Sequence, residues 1–259
     1  MAEGGVIATL VRQIEAGTPV FAAWCGLPEP LIAELLVREG FDTAVLDMQH
    51  GAFDFDAAIR GIALVALAGK PAIVRIPVGD FALVSRLFDA GAAAVVAPMI
   101  NSVAEATALA AFAKFPPMGE RSWGPHRAIT LSAMEPQAYL ARANAMQLAV
   151  AMIETREALA ALDDILAVPG IDGVLVGPSD LSIALSHGVK LDPDSADVDA
   201  AMTHIAERCK AHGKFAAVFT FSGAKAGQMA KRGFAMCSIA TDQLLLRAVA
   251  RAELAVARG

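Results

Sequence analysis

Eight short apolar runs recur along the chain, each followed by a stretch with helical periodicity. The runs are Val20–Cys25, Thr43–Asp47, Pro71–Pro77, Ala92–Met99, Leu148–Glu154, Gly173–Val176, Phe215–Phe221 and Ala235–Thr241. Most are continuous rather than alternating, as strands buried on both faces are. The intervening pattern predicts helices over Pro30–Arg38, Phe55–Leu67, Phe81–Asp89, Thr155–Leu166, Ala196–Ala211 and Gly223–Lys231, most of them stopping at a glycine. Ser102-Val103-Ala104-Glu105 reads as a capping box opening a helix to Ala113, and Asp242 begins a long final helix.

Strand–helix alternation eight times over predicts an α/β fold, a (β/α)8 TIM barrel in one domain spanning 1–259. A doubly wound open sheet is the alternative, weakened because no GxGxxG or P-loop follows the first strand. Two spacings are stretched. Phe115–Met146 holds a Pro/Gly-rich piece, and Ser182–Pro193 after the sixth strand reads as a lid. Long ordered loops of this kind usually serve function.

Composition narrows the classes. Of 259 residues, 56% are hydrophobic and 19% charged, so the chain is globular and its surplus apolar surface predicts an oligomer. A net charge of −6 disfavours a nucleic-acid or anionic-membrane partner. Cys25, Cys209 and Cys237 are widely spaced and unpaired by motif, which fits a reducing cytoplasm and offers no zinc site. The opening Met1-Ala2-Glu3-Gly4-Gly5 lacks a basic region followed by an apolar core, so no signal peptide is expected. No apolar stretch is long enough to span a bilayer.

On a barrel, chemistry gathers where the strands end. Glu154 and Asp180 close neighbouring strand units, on strands expected roughly 4.8 Å apart. Two acids that close repel unless a cation lies between them, and a hard divalent ion is the simplest candidate. The bland alternative is two acids at helix starts. Arg75 ends an apolar strand and needs an anion, either a carboxylate such as Asp47 or Glu154 or a developing oxyanion. His50 follows Asp47 by three residues and could be oriented by it as a general base. No lysine is well placed for a Schiff base. A carboxylate glycosidase is disfavoured by one Tyr and two Trp for sugar stacking.

Asp47-x-x-His50-Gly51, Arg75, Phe115-Pro116-Pro117-x-Gly119-x-Arg121, Ile153-Glu154-Thr155 and Gly177-Pro178-x-Asp180-Leu181-Ser182 resemble the HpcH/HpaI aldolase and citrate lyase family, in order and over nearly the whole chain. More narrowly, the chain resembles its metal-dependent (class II) pyruvate aldolases. The resemblance implies cleavage of 4-hydroxy-2-oxo acids to pyruvate or hydroxypyruvate plus an aldehyde. It implies Glu154 and Asp180 as ligands of Mg²⁺, Mn²⁺ or Co²⁺, Arg75 on the pyruvate enolate, and His50 with Asp47 handling protons. Gly177, Pro178, Ser179 and Asp180 would hold the substrate carboxylate, and Trp24 would line the pocket. Asp89 and Arg127 would reach a neighbouring subunit's site in a hexamer of three dimers that exchange the last helix. The chain departs from familiar members at Gln49, where they carry Glu, at Met152, where they carry Gln, and across Arg121–Arg127. A citryl- or malyl-CoA lyase and a non-catalytic oligomeric binding protein are the alternatives.

Overall fold

The computed structural model describes residues 4–259. Met1–Glu3, read above as part of a start without a signal peptide, lie outside the described residues. Eight parallel strands close a barrel in chain order: β1 Val20–Cys25, β2 Thr43–Asp47, β3 Ala72–Arg75, β4 Ala94–Ala97, β5 Leu148–Ile153, β6 Gly173–Val176, β7 Phe215–Val218 and β8 Met236–Thr241. The helices are α1 Thr9–Glu15, α2 Pro30–Arg38, α3 Phe55–Leu67, α4 Ala82–Ala90, α5 Val103–Ala113, α6 His126–Ser132, α7 Pro136–Met146, α8 Arg156–Ala160, α9 Leu162–Ala167, α10 Pro178–Leu185, α11 Ala196–Ala211, α12 Gly223–Lys231 and α13 Asp242–Arg258. The TIM barrel expected from the alternation is therefore present.

The continuous apolar runs have two destinations. Alternate residues such as Ala22, Val45, Ile73, Val96, Val150, Leu175 and Ala217 fill the barrel interior. Their neighbours, such as Ala23, Leu46, Val74, Val95, Ala151 and Val176, pack outward against the helices. This parity aims the functional side chains. Trp24 follows Ala22, Asp47 follows Val45, Arg75 follows Ile73, and Glu154 continues Val150 and Met152, so all point inward at the C-terminal mouth. Between β1 and β8 the register moves from Ala22↔Ser238 to Trp24↔Thr241. One extra residue on β8, with Ala240 at φ 54°, makes a bulge beside Trp24.

Polar side chains start several helices. Asp54, Ser102, Thr155, Ser222 and Thr241 each accept a hydrogen bond from a first-turn N–H. Ser102 and Glu105 form the expected box, with Glu105 also accepting from the Asn101 N–H at 2.7 Å.

Three expectations change. Phe115–Met146 contains α6 and α7, and it joins α5 to β5. It therefore lies at the N-terminal end of the barrel, away from the mouth. Thr155–Leu166 is two helices broken at Ala161 rather than one. The first part of Ser182–Pro193 belongs to α10. Ser182 Oγ donates to the Ser179 carbonyl and accepts from the Asp192 N–H, which ties the rest down. Lys114, fully buried at the N-terminal end, donates to the carbonyls of Asn144 and Gln147 and to Asp172. That role is structural. All three cysteines are free and buried.

The final helix projects. Among its described residues only Asp242 is buried, while Leu246, Val249 and Val256 are 63%, 63% and 80% exposed.

Candidate active site

Asp47 and Arg75 are register partners on β2 and β3. The guanidinium forks onto the carboxylate, Nε donating to Oδ1 at 2.9 Å and Nη2 to Oδ2 at 2.6 Å. Trp24 Nε1 donates to the same carboxylate at 3.2 Å, and the Arg75 guanidinium lies 4.9 Å from the centre of the indole. Burial alone would raise the pKa of Asp47. The Arg75 hydrogen bonds and charge, with the Trp24 and Gln49 N–H groups, outweigh it and leave the acid below its ordinary value. Asp47 Oδ1 also accepts from the backbone N–H groups of Gln49 and His50. Its hold on His50 thus runs through the backbone, and the imidazole stands at the exposed rim of the cavity. Gly51 keeps the turn tight, because any side chain there would overlap the Asp47 carbonyl.

Glu154 is 2% exposed. Its Oε2 accepts from the Met99 N–H at 3.0 Å. Burial raises its pKa, and the nearby Asp180 raises it further. The Met99 N–H and Arg75 oppose this without cancelling it, so the carboxyl is pushed up to about 7. A methyl group on Gly177 would overlap Glu154 Oε1, so glycine is required for the acid to sit there. Asp180 lies exposed in the first turn of α10, behind Pro178 at N1.

These residues surround a cavity of about 300 Å³ that brings together Trp24, Asp47, His50, Arg75, Glu154, Gly177, Pro178, Ser179 and Asp180. Among the described residues no lysine lines it, and no group of three or more His, Cys, Asp or Glu side chains is arranged to hold a metal. Two hard carboxylate donors with solvent or substrate oxygens completing the shell suit a Mg²⁺-like ion. The adjoining acids, one of them dehydrated, fit such an ion on charge as well. A larger hollow of about 920 Å³ opens at the other end of the barrel, beside α1 and α11. Asp172 and Cys209 line it, but Asp172 is already engaged by Lys114 and the thiol is pushed up by burial, so the mouth is the stronger candidate site.

Asp89 and Arg127 lie elsewhere. Asp89 lies in the last turn of α4 at the N-terminal end of the barrel, where Arg121 donates to it at 2.7 Å. Arg121 also donates to Gln147, which accepts from Tyr139. Arg127 is exposed on α6. Neither reaches the cavity of its own chain.

Sequence reasoning missed several lining groups. Phe219 and Phe221 continue the inward parity of Phe215 and Ala217, a signal that was available. Asp242, read from the sequence at the end of the eighth strand where the last helix begins, is buried at the rim. Its carboxylate accepts from the N–H groups of Gly26, Leu27 and Gln243, fastening the β1–α2 loop to the root of α13. No spacing rule indicates that contact. Gln49 Oε1 is buried without a donor among the described residues.

A family model for HpcH/HpaI aldolase/citrate lyase matches residues 21–248. A hydroxypyruvate/pyruvate aldolase from Rhizorhabdus wittichii is 42% identical over 93% of this chain and 95% of its own. A 4-hydroxy-2-oxo-heptane-1,7-dioate aldolase from Salmonella dublin is 31% identical, covering 90% of this chain and 88% of its own. The crystal structure of an HpcH/HpaI aldolase from Desulfitobacterium hafniense superposes with a TM-score of 0.89 at 27% identity, covering 96% of each chain.

The raised Glu154 pKa sets a pH dependence for the metal-free protein. The folded acid holds its proton to about 7, and the unfolded one releases it near 4.5. This contribution to stability is full below 4.5 and is lost as pH rises to about 7. Integrated, it is on the order of 3 kcal/mol. Urea unfolding of metal-free protein between pH 4 and 8 should show the decline, and Glu154→Gln should remove it. Parallel curves for the two proteins would refute the burial argument.

Proposed function

Because the chain belongs to the HpcH/HpaI aldolase/citrate lyase family, we propose that the mouth of its barrel reversibly cleaves 4-hydroxy-2-oxo acids to pyruvate or hydroxypyruvate and an aldehyde. The enzyme is a carbon–carbon lyase of the aldolase type. The observation that supports this site is the dehydrated Glu154 beside Asp180, facing a guanidinium already fixed by Asp47. Glu154 and Asp180 would hold a divalent cation, which would supply Lewis acidity toward the keto oxygen of the 2-oxo acid. Mg²⁺, Mn²⁺ and Co²⁺ all suit two carboxylates and open positions.

The chain's own residues do the rest. Asp47 occupies Nε and Nη2 of Arg75, leaving the Nη1 edge to meet the oxyanion of the donor half. A guanidinium fixed before substrate arrives needs little reorganisation as negative charge develops. The N–H groups of Ser179 and Asp180, in the first turn of α10, receive the donor's carboxylate. His50, at the open rim, takes the proton from the 4-hydroxyl through a solvent molecule as the C3–C4 bond breaks. In the reverse direction it returns that proton to the new hydroxyl.

The roles separate experimentally. Arg75→Lys keeps a charge beside Asp47 but loses the fork. It should slow both cleavage and deuterium incorporation into pyruvate by about a hundredfold or more. His50→Ala should lose cleavage by about 10²–10⁴-fold while pyruvate exchange, followed by NMR, survives. Normal cleavage by His50→Ala would make the histidine structural. An equal fall of both rates in both variants would refute the division of roles.

The exposed face of α13 supports an oligomeric assembly. Its exposed Leu246, Val249, Leu254 and Val256 make an apolar face that a second copy of the chain would cover. A hexamer of three dimers exchanging this helix would also be the route by which Asp89 or Arg127 meets another chain's mouth. Light scattering at micromolar concentration should report a hexamer, and Leu246→Glu/Val249→Glu should lower the mass. A wild-type monomer would contradict the assembly and remove Asp89 and Arg127 from any site.

A further inference from the structure

A second cavity adjoins the catalytic one. It measures about 310 Å³ and lies between the start of α10, the Pro193–Asp194 turn and α12. Pro178, Phe219 and Phe221 line both cavities, so these side chains form the partition between them. The aromatic rings run outward in sequence. Trp24 meets Phe219 edge-on at 5.2 Å, and Phe219 meets Phe221 edge-on at 5.0 Å. The ladder begins beneath the Arg75 guanidinium and ends at Phe221, which is 48% exposed. Beyond it, buried Met202, Val218 and Met229 give the second chamber an apolar floor.

Charge points the same way. The catalytic cavity is lined by Asp47, Glu154, Asp180 and Asp242 against Arg75, whose fork is engaged by Asp47. In the second chamber Lys225 is paired with Asp194 at 2.6 Å. Among the described residues lining the second chamber, Lys225 is thus engaged by Asp194, so an aldehyde bearing its own carboxylate gains no unengaged cation there. An apolar tail meets rings, thioethers and proline.

We propose that the second chamber is the subsite for the aldehyde's tail, and that this enzyme favours uncharged aldehydes with an aryl or medium-length aliphatic tail passing over Phe221. The proposal rests on the aldolase reading of the mouth and adds the identity of the acceptor half. The donor half lies against Glu154, Asp180 and Arg75. Growth of the acceptor away from them leads along Phe219 and Phe221.

The test is a panel of acceptors with pyruvate at saturation in Mg²⁺: glycolaldehyde, butanal, hexanal, 3-phenylpropanal and succinic semialdehyde. Each buried methylene is worth about fourfold, so kcat/KM should climb from butanal to hexanal and 3-phenylpropanal, with succinic semialdehyde below butanal. Ala224, exposed on α12, lines only the second chamber. Ala224→Trp should cost hexanal and 3-phenylpropanal tenfold or more while glycolaldehyde and the KM for pyruvate stay unchanged. Phe221→Ala, which opens the partition, should shift preference further toward 3-phenylpropanal. Turnover of glycolaldehyde with no gain for longer tails, or Ala224→Trp lowering every acceptor alike, would overturn the subsite and leave the aldolase reading standing. A preference for succinic semialdehyde would also overturn it. No condensation with any aldehyde, and no deuterium exchange into pyruvate, would instead defeat the aldolase reading and the subsite with it.

Discussion

Glu154 is held out of water beside a second acid, and the cavity's guanidinium is engaged elsewhere. Arg75 could have neutralised either neighbouring carboxylate. The β2–β3 register sets it against Asp47, and Trp24 stacks on it from β1 to keep it there. Glu154 accepts from the Met99 N–H and is pushed up to a pKa of about 7. A carboxylate in that condition is poised for an external cation, because ionisation without one is unfavourable. Gly177 permits the placement by having no side chain to collide with it.

The mouth is assembled as one frame. Asp47 joins β2 to β3, to Trp24 on β1 and to the turn carrying His50. Asp242 joins the β1–α2 loop to the first turn of α13. The helix with the exposed apolar face therefore starts at the rim of the site. The root of α13 and the geometry of the β1–α2 loop thus share one buried carboxylate.

Much of this was legible in the sequence because its signals are local. Gly173–Val176, Pro30–Arg38 and Val103–Ala113 follow from run length, a helix-starting proline or capping box, and stop signals, and the structure keeps those bounds. Inward parity along each strand carries Trp24, Asp47, Arg75 and Glu154 to one mouth. The helices α6, α7 and α10 escaped because prolines and glycines nearby read as loop. Pro136 and Pro178 in fact start helices at N1, where the missing N–H costs nothing. The choice of Asp47 rather than Glu154 as partner of Arg75 depends on three-dimensional register, and both remained open in the sequence. The partition built by Phe219 and Phe221 depends on how loops after β6 and β7 meet, which no periodicity encodes.

On the proposed reading, Glu154 and Asp180 together would hold one divalent ion at the 2-oxo acid's site. The direct measurement is electron paramagnetic resonance of Mn²⁺ titrated into metal-free protein at pH 8. The expected result is one bound ion per chain, a spectrum that changes when pyruvate is added, and loss of both features in Glu154→Gln and Asp180→Asn. A bound ion that survives both substitutions, or one whose spectrum ignores pyruvate, would contradict the account.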